Sequence, residues 1–295
     1  MPRKTNEDPT GQRFNRKRAR SAVNRRLLKS QREVIALFSA IPRQRKSRSR
    51  IVNEQKIYYD YTLTAFELQQ LENQTRAAIN ANLETATETM PPNWFYEPHA
   101  EQPYRQATIE QVEQTNSQVE AAIAAGLLLA VPRTPTAQEY ILTPPYRDRA
   151  RKVLIENYNQ IKTLSEQTAA QVIGEINRGI QAGATPTEVK ASIKKRFSVS
   201  SSSADRIVNT EVNKAYNDGK MQTLADYEQV TGVRTAVRHI SALLPTTRPT
   251  HADRHRKVYT IQEQESWWNS DANRIHCYCS VEGVILNNKN EVISG

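Results

Sequence analysis

Residues 204–227 read ADRIVNTEVNKAYNDGKMQTLADY. The stretch reads as a helix that Ser203 can cap, and Gly232 follows it. It stands at the point where the character of the chain changes. Upstream, Thr185-Pro-Thr-Glu188 is a capping box with proline at the first helical position. That box starts a short helix over 186–197, and Ser200 to Ser203 reads as a serine linker. Downstream, residues 233–243 (VRTAVRHISAL), 257–261 (KVYTI) and 275–286 (IHCYCSVEGVIL) alternate like strands. Helices before the stretch and short strands after it predict a mainly α protein with a small α+β C-terminal module.

Further upstream the helical signal continues. Residues 147–183 place Val153, Ile155, Leu164, Val172, Ile173, Ile176 and Ile180 at buried positions, and Gly183 ends the run. Residues 106–130 predict another helix, followed by Pro132, Pro135, Pro144 and Pro145, while residues 93–104 (NWFYEPHAEQPY) read as an aromatic loop. A helix over 62–89 is capped by Thr62 or Thr64 and stopped by Pro91-Pro92. Residues 21–40 space Val23, Leu27, Leu28, Val34, Ile35 and Phe38 helically, with Ser21 as the N-cap. Residues 43–50 (RQRKSRSR) read as a basic linker, and residues 1–20 as a basic arm. The expected organisation is therefore an arm and linker over 1–56, a helical body over 57–232 and an α/β module over 233–295.

Charge is unevenly placed. Residues 1–56 hold 17 Lys/Arg against 4 Asp/Glu, which leaves 24 against 27 in the rest of a chain whose net charge is +10. A basic block of this density suits a polyanion, nucleic acid first. The candidate contacts are Arg13, Arg16, Lys17, Arg18, Arg20, Arg25, Arg26, Lys29, Arg43, Arg45, Lys46, Arg48 and Arg50. No apolar run approaches the ~20 residues of a membrane span, and the start has no signal-peptide pattern. The only two cysteines, Cys277 and Cys279, are too close in sequence to staple distant segments, which points to synthesis in a reducing cytosol.

Four of the five histidines and both cysteines lie between residues 239 and 279. His251 and His255 are spaced to share a helix face, and Cys277 and Cys279 to share a strand face. Two imidazoles and two thiolates suit tetrahedral zinc, so His251, His255, Cys277 and Cys279 are candidate ligands of a structural zinc that closes the module. The alternative is a metal-free cluster of hydrogen-bonded histidines and small buried cysteines. Either way the four side chains are expected to converge. No orienting group at a recognisable spacing completes a Cys–His nucleophile pair, and no Walker loop, GxSxG or GxGxxG occurs, so no catalytic residue is assigned. Arg206 and Glu211 suggest a structural ion pair, and Trp267-Trp268 suggest module core rather than base-stacking platforms.

The segment from Ser203 to Leu286 resembles the Mu F-like family of phage minor head proteins, also called head morphogenesis proteins. The resemblance is carried by Arg206, Thr210-Glu211 and Asn217-Asp-Gly219 along one helix. It continues through a strand at 235–239, then Arg248-Pro-Thr-His251-Ala-Asp-Arg-His255, and the closing His276-Cys277-Tyr278-Cys279. This chain has Tyr278 where the family usually has arginine, and Arg256 where it has glycine. The resemblance implies a non-enzymatic virion protein inside the capsid near the portal vertex, made in the host cytoplasm. It implies the portal protein, the major capsid protein and double-stranded phage DNA as partners. It further implies a part in head assembly, DNA packaging or DNA ejection. The competing readings are a zinc-containing nucleic-acid-binding regulator and a Mu F-like effector or toxin enzyme. The basic block lies far from the His/Cys module, and few residues follow Cys279; both facts weigh against the competitors.

Overall fold

A computed structural model of the chain describes residues 4–5, 7–49, 55–84, 93–129, 131 and 133–294. Its elements in chain order begin with α1 (Arg13–Ser39), β1 (Arg43–Ser49), β2 (Gln55–Tyr61), α2 (Ala65–Leu83) and α3 (Asn93–Tyr96). A π-turn (Glu97–Glu101), α4 (Gln102–Ala124), α5 (Ala137–Ile141), α6 (Pro144–Gln181) and α7 (Pro186–Thr231) follow. The C-terminal part is β3 (Thr235–Ile240), α8 (Pro249–Ala252), β4 (Val258–Tyr259), α9 (Ile261–Asn269), β5 (Ser280–Leu286) and β6 (Val292–Ser294). The chain is mainly α with a small α+β C-terminal part, as its sequence predicts.

The chain divides into two compact units, each built from separate stretches of sequence. One comprises Met1–Ala19, Asn93–Asn157 and Arg206–Gly295, and the other Arg20–Pro92 and Tyr158–Asp205. In the second unit, Val23, Leu27, Val34 and Phe38 of α1 are buried, as their helical spacing requires. Thr64 caps α2 with a full capping box, and the expected extension of that helix over 85–89 and its Pro91-Pro92 stop lie outside the described residues. The supposed basic linker is instead β1, paired antiparallel with β2 in the register Arg43↔Tyr61 to Ser49↔Gln55. Its partner segment, QKIYYDY, is rich in strand-forming aromatics, and Lys46 pairs with Asp60 across the ladder. The hairpin meets the end of α6 at Gly183. There φ is +61°, and a Cβ would stand 2.9 Å from the Tyr59 carbonyl oxygen.

The serine run does not interrupt the helix. α7 is continuous because Val189, Ile193, Phe197 and Ala204 keep one buried stripe through it. The Ser200 and Ser202 hydroxyls donate back to the carbonyls of Arg196 (3.1 Å) and Ser198 (3.3 Å), so the run carries its own hydrogen bonds inside a helix.

In the first unit the aromatic "loop" is also helical. Pro98 and Pro103 stand in the first turns of the π-turn and of α4, where a missing N–H costs little. Phe95, His99, Ala100 and Tyr104 face inward. The supposed arm is partly folded too, since Asp8, Thr10, Gln12 and Arg16 are buried and α1 starts at Arg13. The four-stranded sheet runs β4-β3-β5-β6 with every pair antiparallel. It packs Val237 and Val281 against Met221 and Leu224 of α7 and Trp268 of α9. Trp268 is core, as the sequence suggests.

Candidate metal centre

Three segments of the first unit build the cluster. β3 carries His239, α8 carries His251, and the extended segment before β5 carries Cys277 and Cys279. Both cysteines are free and buried. His251 Nδ1 lies 3.4 Å from Cys277 Sγ and 3.5 Å from Cys279 Sγ. The Cys279 N–H donates to Cys277 Sγ at 3.4 Å. Ligand-type atoms of His239, His251 and Cys279 all lie within 4.8 Å of one another, and all three residues are buried. Of the four expected residues, His251, Cys277 and Cys279 therefore converge.

His255 does not join them, and His239 takes its place. The reason is local. α8 ends at Ala252, so the i, i+4 pair does not share a helix. The backbone turns at Arg256 with φ +61° and pairs back onto β3, where the Arg256 N–H donates to the His239 carbonyl at 2.7 Å. The arginine thus holds the left-handed turn that glycine favours. His255 Nδ1 instead accepts from the Ser241 N–H at 3.1 Å. Spacing does not single out His239, because one histidine in a strand carries no motif. The available signal is that it shares a strand face with Val237, the face turned to the core.

Helix α7 holds the cysteine segment from behind. Asn213 Nδ2 donates to the Cys277 carbonyl (2.6 Å), Asn217 Nδ2 to the Cys279 carbonyl (3.0 Å) and Lys220 Nζ to the Val281 carbonyl (2.9 Å). Positions four and three apart on a helix thus meet alternate carbonyls of an extended chain. Gly219, between them, lets α4 approach, since a Cβ there would stand 2.6 Å from the Tyr104 carbonyl oxygen. The Asn-x-Gly pattern is therefore a packing device. Arg16 reaches the same place. Its guanidinium pairs with Asp8 (3.0 Å), donates to Asn213 Oδ1 (2.6 Å) and lies 4.9 Å from the Tyr278 ring centroid.

The cluster is electrostatically asymmetric. Hydrogen bonding from Cys277, helped by His239 and His251, holds the Cys279 thiol far below its ordinary value despite burial. The same sulfur contact and burial push Cys277 up. One thiolate facing two imidazoles and a second sulfur is a donor set for a soft divalent cation. The Trp267 ring closes one side, 4.7 Å from the His251 ring and 5.3 Å from that of His239. A cavity of about 480 Å³ adjoins the cluster, lined by His251, Cys277, Cys279, Arg248, Thr246 and Tyr278.

Two other expectations change. No ion pair joins Arg206 to Glu211 among the described residues. Glu211 is buried, and burial lifts its carboxyl to about 7. Among the expected nucleic-acid contacts, Arg13, Lys17, Arg18, Arg25, Lys29, Arg45 and Lys46 are exposed. Arg20, Arg26 and Arg43 are half-buried. Arg16 is buried and paired, so it is removed from the set. Arg50 and the side chain of Arg48 lie outside the described residues.

Fold and cluster together define a mainly helical protein with a His/Cys-centred α+β module. Residues 170–282 match the family model described as Phage Mu protein F like protein, so this stretch is similar to Mu F-like phage proteins. No curated protein and no solved structure matches the chain. Among the described residues, no helix is long and apolar enough to cross a membrane.

Proposed function

We propose that the chain is a structural minor head protein of a tailed bacteriophage, located inside the capsid at the portal vertex, and not an enzyme. The observation that carries this reading is the Mu F-like match over residues 170–282. Its partners in this reading are the portal protein, the major capsid protein and packaged double-stranded DNA. The exposed cations Arg25, Lys29, Arg45 and Lys46 support the DNA contact, because water-facing guanidinium and ammonium groups neutralise phosphates without a desolvation cost. The role is to aid head assembly, DNA packaging or DNA ejection. The His/Cys cluster serves it as a structural zinc clip rather than a reaction centre. Quantitative mass spectrometry of purified DNA-filled heads tests the reading. The protein should appear at low copy and co-purify with the portal protein after head disruption. Its absence from DNA-filled heads ends the reading.

A further inference from the structure

We propose that His239, His251, Cys277 and Cys279 form a closed two-nitrogen, two-sulfur site for a zinc-class divalent cation, with His255 outside it. This rests on the zinc reading above and assigns its ligands.

Geometry is the first argument. With Zn–N near 2.0–2.1 Å and Zn–S near 2.3 Å, a tetrahedral site separates nitrogen and sulfur ligands by about 3.6 Å. The His251 Nδ1 distances to Cys277 Sγ and Cys279 Sγ, 3.4 and 3.5 Å, are already edges of such a tetrahedron. His239 lies within 4.8 Å of His251 and Cys279, and Cys277 joins this trio through its 3.4 Å contact with His251, so binding draws the Cys277 sulfur and the His239 ring toward a common centre.

An orphaned buried atom is the second. His239 is fully buried and its Nδ1 meets Gln264 Oε1 at 3.3 Å, while its Nε2 has no hydrogen-bond partner. Leaving such a nitrogen unsatisfied costs about 1–3 kcal/mol, and a cation satisfies it. The Nδ1 contact is the kind that orients a metal-bound imidazole. Gln264 is itself buried and accepts from the Arg254 guanidinium at 3.1 Å, so this support is built rather than incidental. The backbone at both cysteines is pinned by Asn213 and Asn217.

The cavity beside the sulfurs gives an ion a way in, and four protein ligands leave no open position once it is bound. The cation would then tie β3, α8 and the segment before β5 to one another, and both cysteines would bind it as thiolates.

The full chain, reduced and loaded with zinc or cobalt, provides the test. Elemental analysis should find a single ion per chain. The cobalt form should show thiolate-to-metal charge transfer with tetrahedral visible bands. His239→Ala should lose the ion, and Gln264→Ala should weaken binding about 10–100-fold. His255→Ala should leave stoichiometry and spectrum unchanged. His239→Cys should keep the ion with stronger sulfur charge transfer, which guards against an alanine variant that merely misfolds. If the ion survives His239→Ala and is lost in His255→Ala, the ligand assignment is wrong while the zinc reading stands. If the wild-type chain takes up neither metal, both fall.

Discussion

Residues 25–46 and residues 239–279 are both rich in ionisable side chains, yet they bury opposite halves of their chemistry. In the first stretch Leu27, Val34 and Phe38 go inside, while Arg25, Lys29, Arg45 and Lys46 stay in water. In the second, His239, His251, Gln264 and Cys279 are among the most enclosed side chains in the molecule. A hydrated charge needs no partner, whereas a buried polar atom must find one or destabilise the fold. Sensitivity to substitution should therefore follow burial rather than charge. Arg16 sits on the same helix as Arg25 but follows the rule of the second stretch.

Arg16 puts that contrast to its hardest test. Arg16→Ala leaves Asp8 buried without its counter-ion and strips a donor from Asn213, so it should cost about 3–5 kcal/mol in chemical denaturation. Arg25→Ala should change stability by no more than about 0.5 kcal/mol. Similar losses of stability at the two sites would sink the burial rule.

Glu211 gives the next largest effect, and it depends on pH. Its carboxyl titrates near 7 in the fold against an ordinary value of 4.5, chiefly through burial. A raised folded value means the neutral form stabilises the fold below pH 4.5, and this contribution is lost as pH rises through 7. Glu211→Gln, which stays neutral, should match wild type at about pH 4 and exceed it by about 3 kcal/mol at about pH 8. Parallel stability curves across that range would refute the assignment.

The smallest effects per residue belong to the exposed cations, and they emerge in DNA binding rather than stability. Point substitutions spare the buried face of α1, which any deletion through this region would remove. Replacing Arg25, Lys29, Arg45 and Lys46 by glutamine should leave the protein folded. The slope of log K against log salt for duplex DNA should fall by about 0.9 for each phosphate that is no longer neutralised. An unchanged slope would place the DNA-binding surface elsewhere.

Much of this is legible in the chain itself. The helical spacing of Val23, Leu27, Val34 and Phe38 marks α1, and Thr185-Pro-Thr-Glu188 marks the start of α7 through a capping box that the structure forms. The convergence of His251 with Cys277 and Cys279 is visible in spacing alone. His239 is not, because it enters the cluster only through pairing of β3 with the chain after α8. The serine run and the Arg43–Ser49 strand mislead for a related reason. Short-range composition favours a linker in both places, and a buried stripe on α7 or an aromatic partner strand overrides it.

Sequence alone was enough for the helical body, the α+β C-terminal part and the segment that resembles Mu F-like proteins. These rest on periodicity, caps and local motifs, which act within a few turns of chain. It took the folded chain to settle which histidine joins the cysteine cluster, which arginine is buried and which carboxyl is lifted by burial. Each of those outcomes depends on partners brought from distant positions, and on the cost of burying a polar atom that lacks one.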